Sequence, residues 1–304
     1  MNNDRIQEIL DLMEEARLDY FLISDPQSIA YCTGYYNDPH ERMFVFMISK
    51  HGNHTLFMND LFYLEHDLDV NIVWHKDGQD AIQTIVDEMH FPGRIGIDKN
   101  WASHFLLDLM KKLPDAKYIN ASPCVDLVRM KKDLQEQVLM IESSKINDAV
   151  MEEIIPFIQE GVTEKQLAKK LDELFFNHHS TCYGAIVAFG KNAADPHHEN
   201  DDTPLRKGDC VLIDMGCVYK GYCSDMTRTF FYEGILEEEI KVYEIVKKAN
   251  EAAEAMIKPG VKLSDIDKCA RKVISDEGYG KYFTHRLGHF IGRDVHEYGD
   301  VSSV

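Results

Sequence analysis

Long apolar runs are missing from this sequence. None approaches the roughly 18 consecutive apolar residues that span a bilayer. The opening Met1-Asn2-Asn3-Asp4-Arg5 lacks a basic segment leading into an apolar core, so no secretory signal is read there. There is no Cys-x-x-Cys pair, and the seven cysteines, at 32, 124, 182, 210, 217, 223 and 269, are scattered and odd in number. They read as reduced thiols of a cytoplasmic protein, not as a disulfide framework or a zinc ribbon. Positive charge is scarce as well: 33 Lys and Arg stand against 52 Asp and Glu, a net charge of −19. A phosphate backbone is held by clustered Lys and Arg, so neither nucleic acid nor a membrane surface is expected as a partner. Repeats, low-complexity tracts and flexible linkers are also absent.

What remains is an ordinary globular composition, 44% hydrophobic over 304 residues. That length suits two domains, each with a core that needs no disulfide staples. The first part alternates helical and strand patterns. Ile6, Ile9, Leu10, Met13 and Ala16 mark one helix face, and Tyr20 to Ile23 reads as a buried strand closed by Ser24-Asp25-Pro26. Met43–Ile48 and Thr55–Met58 read as a hairpin around His51-Gly52-Asn53, and Val70–Trp74 as a further strand. Helices are expected at 79–89, stopping at Pro92-Gly93, and at 101–112, with a strand at Arg94–Ile97 between them. Such alternation predicts an α/β domain. Ala121-Ser122-Pro123-Cys124 reads as a turn and places the boundary near residue 125, giving domains 1–125 and 126–304.

Beyond the boundary the texture changes. A helical stretch runs over 134–159, and Thr163 reads as the N-cap of another helix. Then come strand-like runs at 182–189, 210–218 and 222–232, followed by helices at about 237–256 and 263–276. This half reads as α+β with an antiparallel sheet.

Three segments carry candidate chemistry. Val211-Leu212-Ile213-Asp214-Met215-Gly216 ends a buried strand on a carboxylate, which is costly to bury without a cation or several hydrogen bonds. Ser224-Asp225-Met226-Thr227-Arg228-Thr229 follows, joined through Tyr219-Lys220-Gly221, a hairpin turn that brings Asp225 back toward Asp214. Two carboxylates at close range repel, and a shared divalent cation removes the repulsion. The plainer alternatives are solvent-facing carboxylates, or Asp225 paired with Arg228. The third segment, His285 to Glu297, packs His285, His289 and His296 into twelve residues. Imidazole serves both as metal ligand and as acid or base near neutral pH. Gly288 and Gly292 speak against a regular helix, and no His-Glu-x-x-His is present. A loop at Gly190–His198 offers one more pair, His197 and His198; a surface pair is the plainer reading.

Taken in order, Pro196-His197, Asp214-Met215-Gly216, Ser224-Asp225-Met226-Thr227-Arg228-Thr229 and His285-xxx-His289-xxxxxx-His296 resemble the creatinase/aminopeptidase P/prolidase family of "pita-bread" metallopeptidases. Tyr31-Cys32-Thr33-Gly34-Tyr35 resembles a signature of that family's N-terminal domain, and Asp38-Pro39-His40-Glu41-Arg42 a segment of bacterial Xaa-Pro dipeptidases. The resemblance implies an α/β N-terminal domain plus an α+β pita-bread catalytic domain. It implies metal-dependent hydrolysis of Xaa-Pro dipeptides through a hydroxide shared by two divalent ions, manganese or cobalt first, zinc as a further option. Asp214, Asp225 and His289 would be metal ligands. His197 and His296 would be catalytic, lining the site around the substrate carbonyl. His285 would bind substrate on the proline side, and Thr227 would support a ligand. A proline-containing peptide substrate and a homodimer are implied in the same way.

One departure stands out. The family's site uses two further Glu ligands downstream of the His region, and the sequence given runs only to Ser302-Ser303-Val304. The catalytic domain therefore reads as incomplete at its C-terminus. The expectation is weak metal binding and little activity from this 304-residue form, with apolar surface exposed where final strands would pack. Alternative functions are an aminopeptidase P acting on longer Xaa-Pro peptides, a metal-free creatinase-like amidinohydrolase, and a non-catalytic pita-bread binding module. Asp214, Asp225 and His289 argue against the last two.

Overall fold

The computed structural model describes residues 1–90 and 92–303. Two compact units divide the chain at Lys131/Lys132. The first contains α1 (Asn3–Glu15), β1 (Tyr20–Ile23), α2 (Pro26–Thr33), β2 (Val45–Ser49), β3 (Thr55–Asn59), β4 (Asn71–His75), α3 (Ala81–Glu88), β5 (Arg94–Ile97), α4 (Ser103–Lys112), β6 (Lys117–Asn120) and α5 (Ser122–Met130).

Its strands form one six-stranded sheet in the order β4-β3-β2-β1-β5-β6. The pairs β1–β2 and β2–β3 are antiparallel and the others parallel. Strands β1, β2 and β3 are buried along their whole length, as a sheet covered on both faces requires. Alternation divides their side chains between two cores. Phe21, Ile23, Phe46 and Ile48 pack with Ile6, Ile9, Met13, Val125 and Val128 on one face. Tyr20, Leu22, Val45 and Met47 pack with Ile82, Ile85 and Leu109 on the other.

The expected boundary at 125 is corrected by α5. The segment read as a turn at 121–124 begins this helix, with Pro123 in its first turn, where a missing N–H costs nothing. Val125 and Val128 then bury themselves in the first core, so the helix belongs to the first unit and the division falls at Lys131/Lys132. Arg129 anchors it from its far end, donating to Asp25 Oδ2 at 3.0 Å and Ser28 Oγ at 2.8 Å. Strand β6 and helix α2 were not expected, because each is short and carries little periodicity. In the Asp38–Arg42 segment, Arg42 makes a paired contact with the Asp77 carboxylate through Nε and Nη2.

The second unit contains α6 (Leu134–Ile154), α7 (Glu164–Asn177), β7 (Thr181–Cys182), β8 (Ile186–Phe189), β9 (Cys210–Met215), β10 (Cys217–Tyr219), β11 (Tyr222–Cys223), β12 (Met226–Phe231), α8 (Glu237–Glu254), α9 (Leu263–Asp276), β13 (Gly288–Phe290) and β14 (Glu297–Val301). The expected helix over 134–159 ends instead at Ile154, followed by a single 3₁₀ turn at Ile155–Phe157. Pro156 explains this, since it offers no N–H and disfavours helix in the residue before it. Asp133 with Glu136, and Thr163 with Gln166, form reciprocal capping boxes at the starts of α6 and α7. Each such cap contributes about 1 kcal/mol.

Among the described residues, all strand pairings in this unit are antiparallel. Three short sheets result, ordered β11-β10-β7, β12-β9-β8 and β13-β14. The runs read from sequence as single strands each cross from one sheet to another: β7 to β8 at residues 183–185, β9 to β10 at Gly216, and β11 to β12 at Ser224-Asp225. These three crossings define a seam. In β9, Val211, Ile213 and Met215 pack on the helical core with Leu167, Leu171 and Phe175. Period-2 alternation therefore turns Asp214 to the opposite face. Among the described residues, no helix is long and apolar enough to cross a membrane.

Candidate metal centre

The hairpin expected at Tyr219-Lys220-Gly221 is present. Tyr219 pairs with Tyr222, and both turn residues take positive φ, 48° at Lys220 and 82° at Gly221. That is the type I′ geometry, whose twist matches the flanking strands. The register then places Thr227 directly opposite Asp214. Thr227 Oγ1 donates to Asp214 Oδ1 at 2.7 Å. Asp225 lies just before β12 begins, within electrostatic range of Asp214. Arg228 does not pair with Asp225; its Nη1 donates to the Thr227 carbonyl at 2.8 Å.

His289 approaches from β13. Its ring Nδ1 lies 3.1 Å from the Phe290 carbonyl, where an N–H on Nδ1 donates and leaves Nε2 with its lone pair free. Nε2 faces Asp225 Oδ2 at 3.4 Å, with the two side chains 18% and 31% exposed. Two donors on one cation at about 2.1 Å each lie about 3.0–3.4 Å apart, so this spacing suits a shared ion. The Asp225 carboxyl is raised above its ordinary value, first by burial and then by the Asp214 charge, with His289 and His296 acting in the opposite sense. A divalent cation would relieve that repulsion. Two carboxylates and an imidazole form a donor set that fits manganese, cobalt or zinc alike.

His296 joins them. Its ring lies 4.3 Å from that of His289, centroid to centroid. Its pKa is lowered by desolvation, then by His289 and Arg286, which favours the neutral ring at neutral pH. His285 is exposed, its Nδ1 2.7 Å from the Arg286 carbonyl, within electrostatic range of His296. His197 is exposed in the loop after β8 and is not brought into bonding contact with Asp214, Asp225 or His289; its backbone N–H donates to Asp195 Oδ1 at 3.0 Å. His198 turns inward, 2.6 Å from the fully buried Glu164.

Among the described residues, the group of three potential donors that all lie within 4.8 Å of one another is a different one, Glu164, His198 and Asp201. Glu164 Oε1 already accepts from the Phe189 and Asn192 nitrogens at 2.9 Å, and Oε2 from Asp201 N at 3.0 Å. With His198 the carboxylate holds four N–H partners, which makes the cluster a clasp closing the loop at 190–201.

Several supporting residues carry little sequence signal. Asp267 on α9, with no exposed side-chain surface, accepts from Leu287 N at 3.1 Å, Arg271 Nε at 2.7 Å and Ser303 N at 2.9 Å, steadying the approach to β13. Glu297 binds Lys132 Nζ at 2.8 Å and Arg293 N at 2.8 Å, closing the turn before His296. A Cβ on Gly292 would come within 2.7 Å of that carboxylate, so glycine is needed there. Tyr183, in a run read as continuous strand, donates its hydroxyl to the Ser224 carbonyl at 2.8 Å. Burial, Asp225, Cys223 and Asp214 all raise the Tyr183 pKa, keeping the phenol protonated. Gly184, at φ 113°, was the available sign that the strand breaks there.

Comparison with known proteins agrees with this architecture. Residues 138–303 match metallopeptidase family M24, and residues 5–131 match the Creatinase/Prolidase N-terminal domain. An uncharacterized peptidase of Staphylococcus aureus is 33% identical over 309 residues, covering 99% of this chain and 86% of that protein. A dipeptidase from Pyrococcus horikoshii superposes with a TM-score of 0.90 at 34% identity, covering 98% of this chain and 85% of the other. A prolidase from Thermococcus sibiricus gives a TM-score of 0.93 at 31% identity, covering 100% and 85%. The chain belongs to metallopeptidase family M24, with a creatinase-type N-terminal domain followed by a pita-bread catalytic domain.

Proposed function

We propose that this protein hydrolyses Xaa-Pro dipeptides, with divalent ions held by Asp214, Asp225 and His289. The observation that carries the reading is the convergence of His289 Nε2 on Asp225 Oδ2 at 3.4 Å, within electrostatic range of Asp214. The prolidase and dipeptidase structures it resembles support the substrate class. Bound there, the ions supply Lewis acidity, which a tertiary Xaa-Pro amide needs for attack by water.

The chain's own residues do the rest. Thr227 orients the Asp214 carboxylate through its 2.7 Å bond. His296, neutral near pH 7, offers an N–H to the substrate carbonyl as charge develops on its oxygen. His197, exposed on the loop that Glu164 closes, would contact the same oxygen once substrate binds. His285 borders the pocket for the proline ring. A homodimer, manganese or cobalt as the ions, and a cytoplasmic setting belong to the same reading; seven cysteines without a disulfide among them fit the last.

Manganese or cobalt titration by calorimetry, followed by proline release from an Xaa-Pro dipeptide and from a longer Xaa-Pro peptide, tests it. Uptake should fall at least tenfold in Asp225→Asn and in His289→Ala, and the dipeptide should be the better substrate. Uptake unchanged in both variants would overturn the metal assignment. Equal cleavage of peptides with and without proline would overturn the substrate.

A further inference from the structure

We propose that Tyr183 is a positioning residue for Asp225: its phenol fills the gap left by Gly216, grips the Ser224 carbonyl, and so sets where the next carboxylate points. The inference rests on the metal-centre reading and assigns it a residue that neither motif nor spacing marks.

Asp225 belongs to no ladder. It lies where the chain leaves β11 and has not yet entered β12, so strand pairing does not determine its direction. Ser224, just before it, is buried and held at both backbone groups. Its N–H donates to the Cys217 carbonyl at 2.9 Å, and its carbonyl accepts from the Tyr183 hydroxyl at 2.8 Å. The first bond ties Ser224 to its own hairpin. The second ties it, past Gly216, to the β7–β8 crossing on the far side of β9 and β10.

Gly216 makes this possible. A Cβ at that position would overlap both the Tyr183 hydroxyl and the Ser224 carbonyl oxygen. Its φ is not in the left-handed region, so the glycine is required for space and not for backbone conformation. Tyr183, Gly216 and Ser224-Asp225 thus occupy one level of the fold, each at the point where its chain passes between sheets. A hydroxyl donor at the residue before a metal ligand acts on the ligand's direction, and outer partners of this kind are worth about 10–100-fold in metal affinity.

Tyr183→Phe tests the proposal, since it keeps the ring and deletes only the hydroxyl. Two measurements are made on the whole chain. The first is amide hydrogen exchange at Asp225 and Met226 without metal. Exchange at least tenfold faster in the variant is expected, with the thermal midpoint of the chain within a few degrees of the unsubstituted protein. The second is Mn(II) affinity by calorimetry, expected about tenfold weaker. Faster exchange with no Mn(II) uptake even by the unsubstituted protein would sink the metal reading and uphold the role of Tyr183. Unchanged exchange would overturn that role whatever the metal does. Faster exchange with Mn(II) affinity within twofold would show a local structural bond that does not position the ligand, and would overturn it as well.

Discussion

His289 Nε2 stands 3.4 Å from Asp225 Oδ2, although the two residues are far apart in the chain and Asp225 belongs to no strand. Asp225 comes from the crossing between β11 and β12. His289 comes from a separate two-stranded ribbon whose approach is anchored on Asp267 of α9. Their meeting turns two separate motifs into one donor set.

Thr227→Val should weaken divalent metal uptake by about tenfold or more while leaving the fold intact. Valine keeps the β-branched shape suited to β12, and removes only the donor to Asp214 Oδ1. Calorimetric titration with Mn(II), with circular dichroism as the folding control, checks this. Equal affinity in the two proteins would show that Asp214 needs no partner.

Gly216→Ala should destabilise the catalytic unit by about 3 kcal/mol, because the added methyl and the Tyr183 hydroxyl claim the same space. A shift of the urea midpoint at unchanged slope is the measurement. A loss under about 0.5 kcal/mol would mean that the phenol moves aside freely.

Cys182 is partly exposed, yet burial of its sulfur, reinforced by Asp172 and Cys217, pushes its thiol up to about 11. Only about one molecule in a thousand carries the thiolate there at pH 8, and the thiolate is the nucleophile. Iodoacetamide labelling of native Cys182, followed by mass spectrometry, should therefore rise about tenfold per pH unit between pH 8 and 10. A plateau below pH 9 would contradict this environment.

Burial pushes the Asp267 carboxyl up, but the bonds from Arg271 and Ser303 outweigh it and hold it below the ordinary carboxylate value. A depressed carboxyl stabilises the fold above its unfolded pKa of about 3.8, and that contribution is lost as pH falls through the folded value. Acid unfolding of the catalytic unit should thus steepen below about pH 4. Asp267→Asn should lower stability at pH 7 and flatten this acid limb, as read from urea midpoints across pH 2–7. An acid limb of unchanged slope would count against the assignment.

Much of the architecture was legible. The buried strand at Tyr20–Ile23, the hairpin around Gly52, the N-cap at Thr163 and helix α9 all announce themselves through local pattern. Asp214, Asp225 and His289 stood out by their order along the chain, which follows a family pattern. The misread elements have physical causes. The segment at 121–124 has turn composition but begins a helix, because Pro123 is tolerated in a first turn and two valines beyond it find a core. The runs at 182–189, 210–218 and 222–232 look continuous, because residues on both sides of each crossing favour strand.

Local chemistry by itself determined which residues could carry a metal and which secondary elements frame them. Residue types and periodicity are properties of the chain, and the hairpin at Lys220-Gly221 folds Asp225 back toward Asp214 without help from elsewhere. Tertiary structure decided the rest. It placed His289 opposite Asp225, aimed Thr227 at Asp214, left His197 exposed while His198 turned inward to Glu164, and set the Tyr183 phenol into the gap at Gly216. Each of these depends on which surfaces bury one another across sheets that share no local sequence. That choice is made by packing and hydrogen-bond satisfaction over the whole unit, which no single segment encodes.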